Sequence, residues 1–138
     1  MATWQYRTGL HNVGSYQVSG RPWITGSLAL GVGVEDQIIF PSVTKSITII
    51  NTESADGDLH VHFNSKTSGD VTKGLHYIPL NDNDDRITLN VKCKEIYISN
   101  PDASNAVAYT VIAELTNIGF VEMIPLTGSG LTFYDGPP

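Results

Sequence analysis

The residues best suited to chemistry in this chain are four histidines, His11, His60, His62 and His76. His60 and His62 lie in the run 59–64 (LHVHFN), where apolar and polar residues alternate, so both imidazoles share one face of a predicted strand. Two imidazoles at this spacing can hold a metal ion, with His76 as the candidate third ligand. His76 belongs to a different predicted strand, and the sequence does not place it beside the other two histidines. Exposed surface histidines are therefore the favoured interpretation, and a metal site stays an alternative.

The densest acidic segment is the loop 81–85 (NDNDD). Asp82 and Asp84 are candidate first ligands of a calcium loop, whose oxygen ligands recur at fixed spacing around a glycine at about the sixth position. Counted from either aspartate, that position holds an apolar residue, Ile87 or Leu89. A polar turn is therefore favoured over a calcium site.

Catalysis lacks its usual sequence motifs. There is no Gly-x-Ser-x-Gly turn and no glycine-rich loop that would cradle a phosphate ahead of a helix. The single cysteine, Cys93, falls on the apolar side of a predicted strand and is expected to be buried. Loop carboxylates such as Glu53 and Asp56 have no adjacent apolar pocket that would raise a pKa for acid catalysis. We predict that the chain is not an enzyme and binds no cofactor.

The composition is that of one soluble domain. The chain has 138 residues and a formal net charge of −6, and no basic stripe suggests nucleic acid as a partner. No apolar run approaches the roughly 18 to 20 residues of a membrane-spanning helix. The amino-terminal residues lack the pattern of a secretory signal, so we expect synthesis in the cytoplasm.

Short strands separated by turn residues dominate the middle of the sequence. They predict an all-β fold, a single β-sandwich or jelly-roll-like domain. The final one of these strands also carries helix-compatible residues, but its β-branched and aromatic residues favour a strand buried on both faces. The predicted strands are 28–34, 37–40, 43–51, 59–64, 75–80, 86–93, 95–99 and 106–115.

The alternation of apolar residues changes phase after Cys93. Ile87 and Leu89 share their parity with Cys93, whereas Ile96 and Ile98 have the opposite parity. The sequence therefore predicts a bulge or a tight turn near residue 94.

Three regions follow from composition: an N-terminal arm (1–27), a sandwich body (28–117) and a C-terminal extension (118–138). Both terminal regions are poor in aliphatic residues but contain aromatic ones, which have no evident core of their own to join. We therefore predict that they bind neighbouring subunits. The candidate interface residues are Trp4, Tyr6, Tyr16, Val18, Trp23, Leu131, Phe133 and Tyr134.

Three segments resemble small virion structural proteins of tailed bacteriophages, particularly those of marine phages. They are residues 8–23 (TGLHNVGSYQVSGRPW), 40–49 (FPSVTKSITI) and 92–98 (KCKEIYI). The resemblance implies a structural component of the particle with a β-sandwich body and extended termini. It also implies a decoration or cement protein on the outside of the capsid. Its partners would then be the major capsid protein and copies of itself, in a homotrimer.

Two alternatives stay open at this point. One is a structural component of the tail, the collar or the fibre base, built from the same sandwich. The other is a carbohydrate-binding module that helps the particle adhere to glycans through exposed tyrosine or tryptophan rings.

Overall fold

The computed structural model describes residues 9–10, 13–14, 20–55, 57–65, 76–119 and 121. Within these residues the chain forms eight strands and is folded as β-structure. The strands are β1 (Arg21–Leu30), β2 (Glu35–Ile39), β3 (Ser42–Asn51), β4 (His60–His62), β5 (Ile78–Pro79), β6 (Arg86–Leu89), β7 (Glu95–Ser99) and β8 (Val107–Gly119).

The strands form two four-stranded antiparallel sheets. Sheet A has the order β1-β8-β3-β6 and sheet B the order β2-β7-β4-β5. The main apolar core lies between them, with Ile47, Ile49 and Val111 from sheet A and Ile96 and Ile98 from sheet B. The prediction of an all-β sandwich is confirmed.

Each predicted strand overlaps an observed one, but the first begins earlier than predicted. β1 starts at Arg21 and pairs with β8 from that residue onward, whereas the predicted body started at residue 28. Trp23 and Thr25 are half-buried and alternate with the exposed Ile24. Polar and small residues occupy both faces of β1, so the two-residue alternation is weak and the composition of the segment did not indicate a strand.

β8 is one of the two central strands of sheet A and pairs on both sides, with β1 and with β3. The prediction of a strand here, rather than a helix, was right. The predicted burial on both faces holds at the start, where Val107, Ala108 and Tyr109 are buried, and again at Leu115 and Thr116. Ile112 and Glu114 are exposed because the outer face of sheet A is uncovered in the described structure.

The phase change after Cys93 marks a crossing between the two sheets. β6 belongs to sheet A and β7 to sheet B, so residues 90–94 carry the chain across, and the predicted bulge or turn is replaced by this crossing. Thr44 fixes the corner: its Oγ1 accepts a hydrogen bond from the Cys93 amide (3.1 Å) and donates one to the Val91 carbonyl (2.7 Å).

Buried asparagine side chains organise two loops. Asn51 Nδ2 donates to the Gly57 carbonyl (3.0 Å) and to the Leu80 carbonyl (2.8 Å), while its Oδ1 accepts from the Glu53 amide (3.0 Å). One side chain thus satisfies three backbone groups that the loop would otherwise leave without partners.

Asn100 repeats this pattern after β7. Its Nδ2 donates to the carbonyls of Leu30 (3.0 Å) and Asn105 (2.8 Å), and its Oδ1 accepts from the Asp102 amide (2.9 Å). The position of β1 relative to the loop 100–106 therefore depends on this amide.

Candidate functional site

Among the eight predicted interface residues, Trp23 is the one that the structure describes. Its ring packs edge-to-face on Phe40, with centroids 5.2 Å apart and planes at 74°. Trp23 is half-buried against the core, so it belongs to the sandwich and not to a separate arm. The remaining seven lie outside the described residues: Trp4, Tyr6, Tyr16, Val18, Leu131, Phe133 and Tyr134.

The outer face of sheet A carries exposed apolar side chains next to one another. Ile24 (67% exposed) lies directly opposite Ile112 (39% exposed) in the register of β1 and β8. Leu28, farther along β1, is 93% exposed. We call Ile24, Leu28 and Ile112 the apolar row. Adjacent exposed apolar residues of this kind are typical of surfaces that bind another protein.

A cleft opens at the edge of the sandwich, between β1 of sheet A and β2 of sheet B. Its volume is about 330 Å³. Both are edge strands of their sheets, and no described strand closes the gap between them. We call this the edge cleft; its lining includes Trp23, Thr25, Asp36, Gln37, Ile39 and Tyr109.

A hydrogen bond spans the two sheets at the edge cleft. The Tyr109 hydroxyl donates to Asp36 Oδ2 at 2.6 Å. Burial raises the pKa of the Tyr109 phenol well above its usual value, and the hydrogen bond and negative charge of Asp36 raise it further. Tyr109 therefore stays protonated and keeps the Asp36 carboxylate in a fixed orientation.

The outer face of sheet B carries a polar network centred on His62. This histidine is 1% exposed, so the expectation of an exposed side chain was wrong. Its Nε2 lies 2.9 Å from Ser99 Oγ and 3.8 Å from Glu35 Oε2, and its Nδ1 contacts the Asn64 carbonyl. Since a carbonyl can only accept, Nδ1 carries a proton and donates it to Asn64. The imidazole is held by hydrogen bonds on both nitrogens.

His60 shares this face but differs in its surroundings. Its ring stacks on Tyr77 with centroids 3.8 Å apart. Burial lowers the pKa of His60, and the nearby His62 lowers it too, while Asp58 has the opposite effect. A neutral His60 on an aromatic ring is a packing arrangement.

The acidic loop forms a closed turn. The Asp85 carboxylate accepts from the Asp82 amide at 3.1 Å, and the Asp84 amide donates to the Asn51 carbonyl at 2.8 Å. Asp84 has a positive φ of 66°, which aspartate tolerates better than most residues. In the described ranges, no three His, Cys, Asp or Glu side chains are placed to hold a metal ion.

Sequence reasoning missed the edge cleft. Asp36 and Tyr109 are 73 positions apart, and nothing in the local pattern of either strand pairs them. The sequence does contain Asp36 near the start of β2 and Tyr109 in the apolar strand β8. That these two side chains face each other can be recognised only once the strand topology is known.

The chain matches no family model, no curated protein and no solved structure. Of the segments that the structure describes, none forms a helix with the length and hydropathy needed to cross a membrane.

Proposed function

We propose that this chain is a non-enzymatic structural protein of a tailed-phage virion. In this proposal it decorates and stabilises the outside of the capsid, as a homotrimer. The sequence resemblance supports the virion assignment, and the β-sandwich provides the rigid body that the resemblance implies. The major capsid protein and sister copies are its partners.

The apolar row carries the proposal. Leu28 is 93% exposed and Ile24 67% exposed, and burying one such side chain contributes about 1.5–3 kcal/mol. A ligand that binds only the assembled shell stabilises it by mass action. Attachment of many copies through the apolar row would therefore oppose rupture of the shell without any chemical step.

The terminal regions complete the proposed mechanism. Aromatic side chains near both ends of the chain, such as Trp4 and Phe133, would contact the capsid or sister subunits, because aromatic residues are enriched in protein interfaces. The rigid sandwich would hold these contacts at a fixed spacing.

The first experiment is quantitative mass spectrometry of purified particles, which gives the copy number of this chain relative to the major capsid protein. Hundreds of copies per particle are expected of a shell-decorating protein. About a dozen copies would contradict decoration and favour a tail, collar or fibre-base position. Absence from the particle would contradict every virion role.

A matched pair of substitutions tests the apolar row. Ile24→Ser is expected to weaken attachment to undecorated shells at least tenfold, measured by cosedimentation. Ile39→Ser is the control, because Ile39 is also an exposed isoleucine (57%) but belongs to sheet B. Equal attachment by the two variants would contradict the role of the row. Both side chains are exposed, so little stability is at risk.

The role of the N-terminal region needs a truncation that spares β1. Removing residues 1–27 would delete seven residues of this strand, whereas a chain that starts at Gly20 keeps it whole. We expect the chain from Gly20 to fold, as judged by circular dichroism, and to lose attachment. Unchanged affinity for shells would contradict a role of the arm in docking.

A further inference from the structure

The edge cleft has the size and position of a small-ligand site. Its volume of about 330 Å³ lies at the lower end of the range for ligand pockets, roughly 300–1,000 Å³. It lies between Trp23 of sheet A and Gln37 of sheet B, and it is separate from the apolar row on the outer face of sheet A. A ligand here would leave the proposed assembly surface uncovered.

The polar groups of the edge cleft include both donors and acceptors. The Trp23 indole N–H and the Thr25 hydroxyl have no hydrogen-bond partner in the described part of the chain. Asp36 uses Oδ2 to accept from Tyr109 and has Oδ1 left as an acceptor.

This set of groups discriminates between classes of ligand. The described residues that line the cleft include no lysine or arginine, and a phosphate or carboxylate would be repelled by Asp36. An ammonium or guanidinium group only donates hydrogen bonds, so it cannot pair with the indole N–H of Trp23. A hydroxyl group both donates and accepts, so vicinal hydroxyls can match both kinds of partner.

The aromatic surface adds a second criterion. The half-buried Trp23 ring offers flat apolar area beside its N–H group, which fits the C–H face of a pyranose. We propose that the edge cleft binds a neutral saccharide unit. The Asp36 carboxylate and the Thr25 hydroxyl bind its hydroxyl groups, and Trp23 packs against its ring. Tyr109 is a positioning residue, because it orients Asp36.

The test is a saturation-transfer NMR titration of the full chain. The probes are D-glucose, D-galactose, D-mannose and N-acetyl-D-glucosamine, with inorganic phosphate and arginine methyl ester as the anionic and cationic comparisons. Saturable binding of at least one sugar is expected, with a Kd of about 1 mM, or about −4 kcal/mol. Neither comparison compound should bind.

Two matched variants locate the site. Asp36→Asn is expected to weaken sugar binding about tenfold, because hydrogen bonds to charged groups are the stronger ones. It still offers a carbonyl to Tyr109. Asp82→Asn makes the same change in an exposed turn and should leave the Kd unchanged. Circular dichroism melts confirm that both variants are folded.

Three results would overturn the proposal. The first is that no sugar saturates. The second is that Asp36→Asn and Asp82→Asn bind sugar equally well, which would place the binding elsewhere. The third is that arginine methyl ester binds and the sugars do not, which would make the cleft a cation site.

Discussion

Replacing Asn51 with alanine should be among the most destabilising polar substitutions in the described structure. The side chain is fully buried and makes three hydrogen bonds to backbone groups of Gly57, Leu80 and Glu53. Each such bond contributes about 1 kcal/mol, and more when a buried partner is left unsatisfied. We therefore expect a loss of about 3 kcal/mol, a large share of the 5–15 kcal/mol typical of a domain.

The assay is urea unfolding followed by circular dichroism, with the free energy of unfolding extrapolated to water. Asn83→Ala is the control, since Asn83 is exposed in the 81–85 turn and should change stability by no more than about 0.5 kcal/mol. Asn51→Asp keeps the acceptor for Glu53 but loses both donated bonds. It should be at least as destabilising as alanine at neutral pH. If Asn51→Ala lost no more stability than Asn83→Ala, the reasoning would be refuted.

Three further predictions concern the corner, the stacked histidine and the thiol. Thr44→Val removes the hydroxyl that pairs with the Cys93 amide and should lower the free energy of unfolding by about 1–3 kcal/mol. The control Thr48→Val, on the outer face, should lower it by less than half as much. Equal losses in urea titrations would contradict the role of Thr44 in stabilising the corner. Because the pKa of His60 is lowered in the folded protein, the unfolded chain binds more protons than the folded one below about pH 6.5. The free energy of unfolding should therefore fall on acidification through that range, and His60→Phe, which keeps the stack on Tyr77, should reduce the slope of this fall. An identical dependence of stability on pH in the variant would contradict this. Burial raises the pKa of Cys93 to about 11. The folded protein should therefore react with an aromatic disulfide reagent only as fast as it unfolds. Rapid labelling of the thiol at neutral pH would contradict its burial.

The strands of the body could be predicted because their residues alternate with a period of two over a continuous core. β7, predicted as 95–99, has those bounds in the structure. β1 was placed too late because its inward residues, such as Trp23 and Thr25, are half-buried and of mixed polarity. The pattern there is set by pairing with β8, which a local window does not contain.

The side-chain sites were harder to predict than the strands. The shared face of His60 and His62 followed from their spacing, but the burial of His62 depends on Glu35 and Ser99, which come from other strands. The edge cleft likewise depends on which strands lie at the edges of the two sheets. Contacts across 37 or 73 positions are set by topology, and local periodicity carries no information about them.

The two outer faces of the sandwich differ in what they gain from being covered. On sheet B the side chains of His62 and Ser99 already bond to each other, so a partner would have to match groups that are satisfied without it, at little net gain. On sheet A, Ile24 and Ile112 lie side by side and exposed, and covering them releases water from apolar surface. In the proposed assembly, sheet A therefore faces the shell. The edge cleft, at the side of the sandwich, stays open to a ligand in the bound protein.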